Sequence, residues 1–587
     1  MSEIEKQETD QTEETPELIA EPSTTDEKIE AEKPRTKQTS VAKSAGIVSI
    51  AVMFSRVLGL VREMIFARYF GAGFLYDAYQ AAFTIPNVLR DLFAEGALSA
   101  AFVKVFTDYQ IKKGEAEAWR LASLVFNALA VILSVVVIIG IFLTPYLVAV
   151  VASGFSPEKA RLTVVMTQIM FPFILLVALA AVAMGVLNTK GVFGVPASAS
   201  TVFNIASIAF GLAFACWLSG GGWLSSSDKT SVPDAAAQWA IIGMAIGTLI
   251  GGAFQFLMQV PSLLKVGFRF SPTLDFVDEG LRRVMRLMAP AILGTSAVQI
   301  NVLVNLAIVS GIDGGRSWLS YAFRLMQFPI GVFGVAIGTA SIPVLSRMAS
   351  EGKFKDFRDT LSSSLNLVFL MTLPSACGLI VLGEPIIRLI YERGKFDAAD
   401  TTMTAWALAG YSIGLTGYAA IKVLSPAFYA LDDAKTPMII AIASIAVNAL
   451  ASFLFRNWLS NVGVTPEYPG GLGHVGVALA TSSVALVNFF ALALMMRKRI
   501  SRLNGREIFS AFTRIAIASA VMSAVCYLSY YFLHRQFGAS NFISRSIECF
   551  APIALGGIVF FATAKILKVG EIDKLYNAFA RKLKLKK

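Results

Sequence analysis

Histidine and cysteine are nearly missing from this chain: 587 residues hold two histidines and four cysteines. Cys216, Cys377, Cys526 and Cys549 stand singly in or beside apolar runs, without CxxC spacing or a nearby histidine pair, which argues against a disulfide framework or a zinc site. His474 and His534 fall at the ends of predicted helices and are expected at an interface. Charge is scarce as well, with 16% Asp, Glu, Lys and Arg against 55% hydrophobic residues, a balance that excludes an ordinary soluble domain. Also missing are a GxxxxGK[ST] phosphate loop, an HExxH metal motif and a serine triad pattern. The expectation is therefore no catalytic residue, no metal, no cofactor, no nucleic-acid partner and no ATP-driven step.

What is there is apolar length. Stretches of about 20 residues, enough to cross roughly 30 Å of hydrocarbon, recur from residue 44 to residue 568 and number about fourteen. They predict an all-α polytopic membrane protein of about fourteen transmembrane helices, among them spans at 77–108, 160–187 and 318–346. Residues 1–42 differ in kind, with 12 acidic and 5 basic residues and almost no large apolar ones, and are expected to form a disordered acidic tail. The remainder carries 46 basic against 28 acidic residues. Loops such as IKKGEAEAWR, MRKRISRLNGR and the tail RKLKLKK lie on one side, while FGAGFLYD and SGIDGGRS lie on the other. Positive-inside reasoning makes the first side cytoplasmic, and an even number of spans puts both termini there.

Cations sit where lipid would be expected. Arg56 and Arg62 lie inside one apolar run, Arg90 follows Pro86 in the next, and Arg324 and Lys422 interrupt later spans. An arginine near the bilayer centre costs roughly 2.5–3.5 kcal/mol, so an anionic partner or ligand is expected to offset it. On a helix Glu63 falls on nearly the same face as Arg56, whereas Arg62 points roughly 120° away from Arg56. Span two adds Asp77, Asn87, Asp91 and Glu95. A cavity with several cations and few acids suits a polyanion such as a diphosphate, which guanidinium groups bind bidentately.

The chain also repeats weakly. YQAAFTIPNVLRDLFAEGALSAAFVKVF and YAFRLMQFPIGVFGVAIGTASIPVLS both run from an aromatic residue through proline to a glycine-containing segment, and each carries an arginine. Repeats of this kind fit transporters whose substrate site lies between two rocking bundles. Pro86 and Pro329 are expected to kink their helices. Gly243, Gly247, Gly251, Gly334 and Gly338 are expected to serve close helix packing.

The motifs MFSRVLGLVRE, FGAG, DAY, IPNVLRDLFAEGALSAAFV, YAFRLMQFPIGVFGVAIGT and KVLSPAFYALDDAKTP resemble the MurJ/MviN family, the lipid II flippases of peptidoglycan synthesis within the MOP exporter superfamily. The resemblance implies two pseudo-symmetric six-helix bundles, at 43–265 and 266–500, then two extra C-terminal helices in 501–570 and a basic cytoplasmic tail at 571–587. It implies a cavity lined by Arg56, Arg62, Arg90 and Arg324, supported by Ser55, Glu63, Asp77, Asn87, Glu95 and Lys422, with hinges at Pro86 and Pro329. The implied activity is outward movement of undecaprenyl-diphosphate-linked disaccharide pentapeptide by alternating access, driven by the membrane potential, in the bacterial cytoplasmic (inner) membrane. The implied partners are lipid II, membrane lipids and cell-wall synthesis proteins, with the chain itself a monomer. The alternative is export of another undecaprenyl-linked oligosaccharide. Some relatives carry acidic sodium ligands in spans seven and eleven, but this chain offers Asn301, Asn305 and Asn448 there, and it has Gln327 where some relatives have glutamate.

Overall fold

The structure, a computed structural model, describes residues 48, 50–93, 97–224, 235–465, 470–539 and 541–572. The acidic tail, most of the basic tail and Glu95 lie outside the described residues. Among the described residues every regular element is helical, and eleven helical segments are long and apolar enough to cross a membrane.

The first group comprises α1 (50–70), α2 (Phe74–Phe93), α3 (Ala97–Lys112), α4 (Glu115–Val151), α5 (Pro157–Met170), α6 (Phe173–Thr189), α7 (Gly194–Ser219), α8 (Ala235–Leu257) and the short α9 (Val260–Lys265). The second comprises α10 (Glu279–Val309), α11 (Gly315–Pro329), α12 (Val335–Ser350), α13 (Phe354–Val381), the short α14 (Gly383–Ile390), α15 (Ala398–Tyr429), α16 (Lys435–Leu459) and α17 (Gly473–Arg499). The hairpin of α18 (Gly505–Phe537) and α19 (Phe542–Ile566) packs on α13 and α14.

The expected spans are subdivided where backbone donors run out. Span 160–187 breaks at Phe171-Pro172, because Pro172 cannot donate to the preceding turn. Ser156 caps α5 by accepting from the Lys159 amide, and Pro157 fills its first turn. Pro329 ends α11 and is followed by a π-helical turn at Ile330–Gly334 before α12. Pro86, by contrast, sits inside a helix that continues to Phe93.

Small residues set the tightest seam, between α7 and α8. A Cβ on Gly251 would come within 2.9 Å of the Phe203 carbonyl, and Gly243 and Gly247 press on the backbones of Ala215 and Gly211. Gly334 and Gly338 meet α15 at Ala419 and Lys422 in the same way.

Three apolar cores result. One fills the first group around Phe102, Phe106, Phe126 and Phe173. Another joins α13, α15 and α17 to the C-terminal hairpin around Phe357, Phe428 and Phe560. The third crosses between the groups, joining Phe66, Tyr76 and Tyr79 to Tyr321, Tyr391, Phe396 and Leu415. This crossing core lies at the end bearing the connections 71–73, 152–156, 310–314 and 391–397, called here the latched end.

Candidate functional site

Glu63 is the junction of the two groups. It is 3% exposed, and the Arg324 Nη2 of α11 donates to its Oε1 at 2.6 Å. Its α1 neighbour Arg62 approaches the same oxygen at 3.5 Å. The Tyr76 hydroxyl donates to the other carboxylate oxygen, and Gln80 donates to Tyr76. Two guanidinium groups thus share one carboxylate, leaving a net positive cluster. The Arg62 guanidinium lies 5.4 Å from the Phe203 ring centroid. Its Nε and Nη1 are buried without a hydrogen-bond partner among the described residues. The Arg324 side chain is 41% exposed although it projects from mid-α11 toward the first group, so open space lies beside the pair. Donors unmet in a sparsely compensated cationic cluster are suited to an oxyanion.

The remaining expected residues divide. Arg56 is exposed and its guanidinium rests on Gly331, at the turn where α11 passes into α12. The Ser55 carbonyl accepts from Asn204 at 3.3 Å. Arg90 donates to Asp91 through Nε and Nη2 at 3.0 and 2.6 Å, and Asp91 also accepts from Gln299 of α10 at 3.1 Å. Asn87 is half-buried on α2, and Lys422 is exposed on α15. Pro329 lies two residues before Gly331, whose missing Cβ leaves room for the Arg56 guanidinium.

Asp77 does not join this cluster. It is fully buried at the latched end, where Oδ1 accepts from the Ser317 amide at 2.8 Å and hydroxyl at 2.6 Å. Its Oδ2 accepts from the Gly314 amide at 2.9 Å and Lys159 Nζ at 2.8 Å. A carboxylate of the first group therefore caps the α11 N-terminus of the second, where backbone donors and the helix dipole favour an anion. Lys159 also bridges to Asp313 at 2.7 Å. Beside them the α1–α2 elbow interlocks with the 391–397 connection. Gly71 (φ 66°) and Gly394 (φ 63°) each lie against the other segment's backbone, and the Lys395 amide donates to the Arg68 carbonyl at 2.9 Å.

Lys159, Ser317 and Tyr76 were not singled out from sequence. The signal for Lys159 was a lysine beside a loop at the head of an apolar run, which reads as interfacial until Asp77 is placed next to it. His474 is a correction: it is buried at the start of α17, its Nε2 3.0 Å from the Met403 carbonyl and its ring 4.8 Å from Trp318. In spans seven and eleven Asn305 Oδ1 already accepts from Asn448 at 2.8 Å and Ser452 at 3.2 Å, while Asn305 donates to Thr481. Asn301 Oδ1 is buried without a hydrogen-bond partner among the described residues, so the set is neutral and supplies no carboxylate, which does not fit the acidic sodium site of some relatives.

Residues 66–548 match the family described as lipid II flippase MurJ. The chain belongs to the MurJ family. A relative from Burkholderia cenocepacia named lipid II flippase MurJ is 37% identical over 459 residues, covering 77% of this chain and 83% of the relative. A Vibrio cholerae protein named probable lipid II flippase MurJ is 32% identical over 502 residues, covering 83% and 89%. A solved MurJ structure in an inward closed conformation aligns with a TM-score of 0.68 at 28% identity, over 89% of this chain and 98% of that one. An inward-facing multidrug transporter of the MOP superfamily aligns with a TM-score of 0.63 at 15% identity, over 78% and 98%, which shows a shared fold. The chain is thus a multi-pass helical membrane protein with the MOP-type fold.

Proposed function

We propose that this MurJ family member is a lipid II flippase of the bacterial inner membrane, moving the undecaprenyl-diphosphate-linked head group from the cytoplasmic to the outer leaflet. The observation that carries this reading is the Arg62–Glu63–Arg324 junction, in which two cations from opposite groups share one carboxylate and Arg62 keeps unmet donors. A diphosphate entering beside it supplies the missing negative charge, with Arg56 and Arg90 as further contacts. The prenyl chain stays in the bilayer while the head group crosses.

Basic loops assign the cytoplasmic side, which makes the latched end the outer one and keeps both termini inside. The Asp77 latch then holds the outer side shut, and export requires α2 and α11 to separate there. Outward movement of two negative charges is favoured by about 4.6 kcal/mol per 100 mV, at roughly 2.3 kcal/mol per charge. The emptied cationic site is drawn back toward the negative interior, which resets the protein without a coupling cation. The polypeptide acts as a transporter and not as a catalyst, and it works as a monomer alongside cell-wall synthesis proteins.

The test is lipid II accessibility at the outer face of cells depleted of their own flippase. Wild type should restore exposure, whereas Arg62→Ala and Arg324→Ala at equal expression should not. Dissipating the potential while keeping a sodium gradient should stop export. Continued export in that condition would refute the electrical drive, and no exposure with correctly inserted wild type would refute lipid II as substrate.

A further inference from the structure

α11 carries another cation that the sequence presents as a loop residue. Arg316 is the second residue of that helix, eight positions before Arg324 and hence about 12 Å nearer the outer end. Its guanidinium crosses to α2, where Nη2 donates to Thr84 Oγ1 at 3.0 Å, and the Thr84 hydroxyl donates a hydrogen bond to the Gln80 carbonyl at 2.6 Å. The Nε of Arg316 is buried with no hydrogen-bond partner among the described residues.

Its charge compensation differs from that of Arg324. Arg324 is paired with Glu63, but among the described residues no carboxylate lies within ion-pair distance of Arg316. Asp77 is close in the fold, yet both its oxygens are engaged by Lys159, Gly314 and Ser317. Polar contacts on the facing helices run from each cation of α11 to Gln80: Arg324, Glu63 and Tyr76 lead to its side-chain amide, and Arg316 and Thr84 lead to its backbone carbonyl. A half-buried guanidinium held only by a neutral hydroxyl keeps its full charge and releases its donors once that hydroxyl withdraws.

We propose that Arg316 is an outer anion-holding position of the transport path, taking an oxyanion of the substrate when α2 and α11 part at the outer side. In the outer-closed form Thr84 occupies the guanidinium. Opening exposes it at the height the head group must pass, with Arg324 below it on the same helix. This inference rests on the reading of the seam as a passage for an anionic lipid, and it adds a residue that the junction at Glu63 does not include.

The competing role is a brace, in which Arg316 merely ties α11 to α2. The two roles differ in what Thr84→Val does. A brace is broken equally by Arg316→Gln and Thr84→Val, whereas an anion position is destroyed by the first and freed by the second.

The experiment uses the purified full chain in detergent, with binding of lipid II and of undecaprenyl diphosphate measured for wild type, Arg316→Gln, Arg316→Lys, Thr84→Val and Arg324→Gln, and thermal unfolding recorded for each. Arg316→Gln should weaken lipid II binding by about tenfold at unchanged melting temperature, the effect of one charge-assisted hydrogen bond, and Arg316→Lys should recover part of it. Thr84→Val should bind at least as tightly as wild type. A loss with both probes assigns the diphosphate as the group held, and a loss with lipid II alone assigns a carboxylate of the stem peptide. Wild-type binding by Arg316→Gln, with Arg324→Gln impaired, would overturn the proposal, as would equal impairment of Arg316→Gln and Thr84→Val. Wild-type binding by Arg324→Gln as well would overturn the underlying reading of the seam.

Discussion

Replacing Asp77 by alanine should unlatch the outer side. The carboxylate accepts four hydrogen bonds, from Lys159, Gly314 and twice from Ser317, in a fully buried position. Alanine would leave the Gly314 and Ser317 amides without their acceptor, at about 1–3 kcal/mol for each buried unsatisfied donor. Lys159 would keep Asp313, whose side chain is 75% exposed, so the residual pair contributes little. The total is about 3–5 kcal/mol, the range for a broken buried ion pair. Opening already separates these groups, so the loss falls on the closed form alone. At 1.4 kcal/mol per factor of ten, the closed-to-open ratio should drop by about two to three and a half decades.

The assay is labelling by a membrane-impermeant maleimide added from outside, in a chain without its four native cysteines. The reporter is Thr84→Cys, because Thr84 is 6% exposed at the seam beneath the latch. Asp77→Ala should label about a hundredfold faster than its parent, and Asp77→Asn, which retains one acceptor oxygen, should fall between. An unchanged labelling rate in Asp77→Ala, at a melting temperature matching the parent, would refute both the latch and its assignment to the outer side.

Further outcomes follow from the packing and ion pairs. Glu63→Ala should lower stability in detergent by about 3 kcal/mol, and adding Arg324→Ala should cost less than the sum of the two single changes, measured by a double-mutant thermal unfolding cycle. Gly247→Ala should destabilise by about 1–3 kcal/mol because its Cβ would strike the Gly211 backbone, whereas Gly557→Ala, with open space around it, should not change the melting temperature. At the turn after α12, hydrogen bonds from Lys353 and Arg347 hold the Glu351 carboxyl down at about 2, below the usual 4.5. Because the folded value is lowered, this stabilisation is complete above pH 4.5 and is lost as pH falls toward 2. The Glu351 side-chain carbonyl shift, followed by NMR, should therefore titrate near 2, and a midpoint above 4 would refute the ion-pair geometry.

The positions of Arg62 and Arg324 were legible because a cation inside an apolar run is anomalous wherever it occurs. Glu63 was expected beside the cavity, but its pairing with Arg62 and Arg324 was not legible, since on its own helix it reads as a companion of Arg56. The partners of Asp77 were not legible for a related reason: span two presents it among other acids, and only the folded chain sets it against Lys159 and the α11 N-terminus. Arg316 read as an outer-loop cation because the preceding Gly314 and Gly315 obscure where α11 begins.

Sequence alone determined that the chain is a helical membrane protein, where its apolar spans fall and which cations lie within them. Hydropathy and the cost of burying charge are properties of local segments, so they survive without knowledge of the fold. Tertiary structure decided which charges meet. Glu63 and Arg324 stand 261 residues apart and Asp77 and Ser317 stand 240 apart, and whether each pair closes a site or a latch depends on distances that no local pattern encodes.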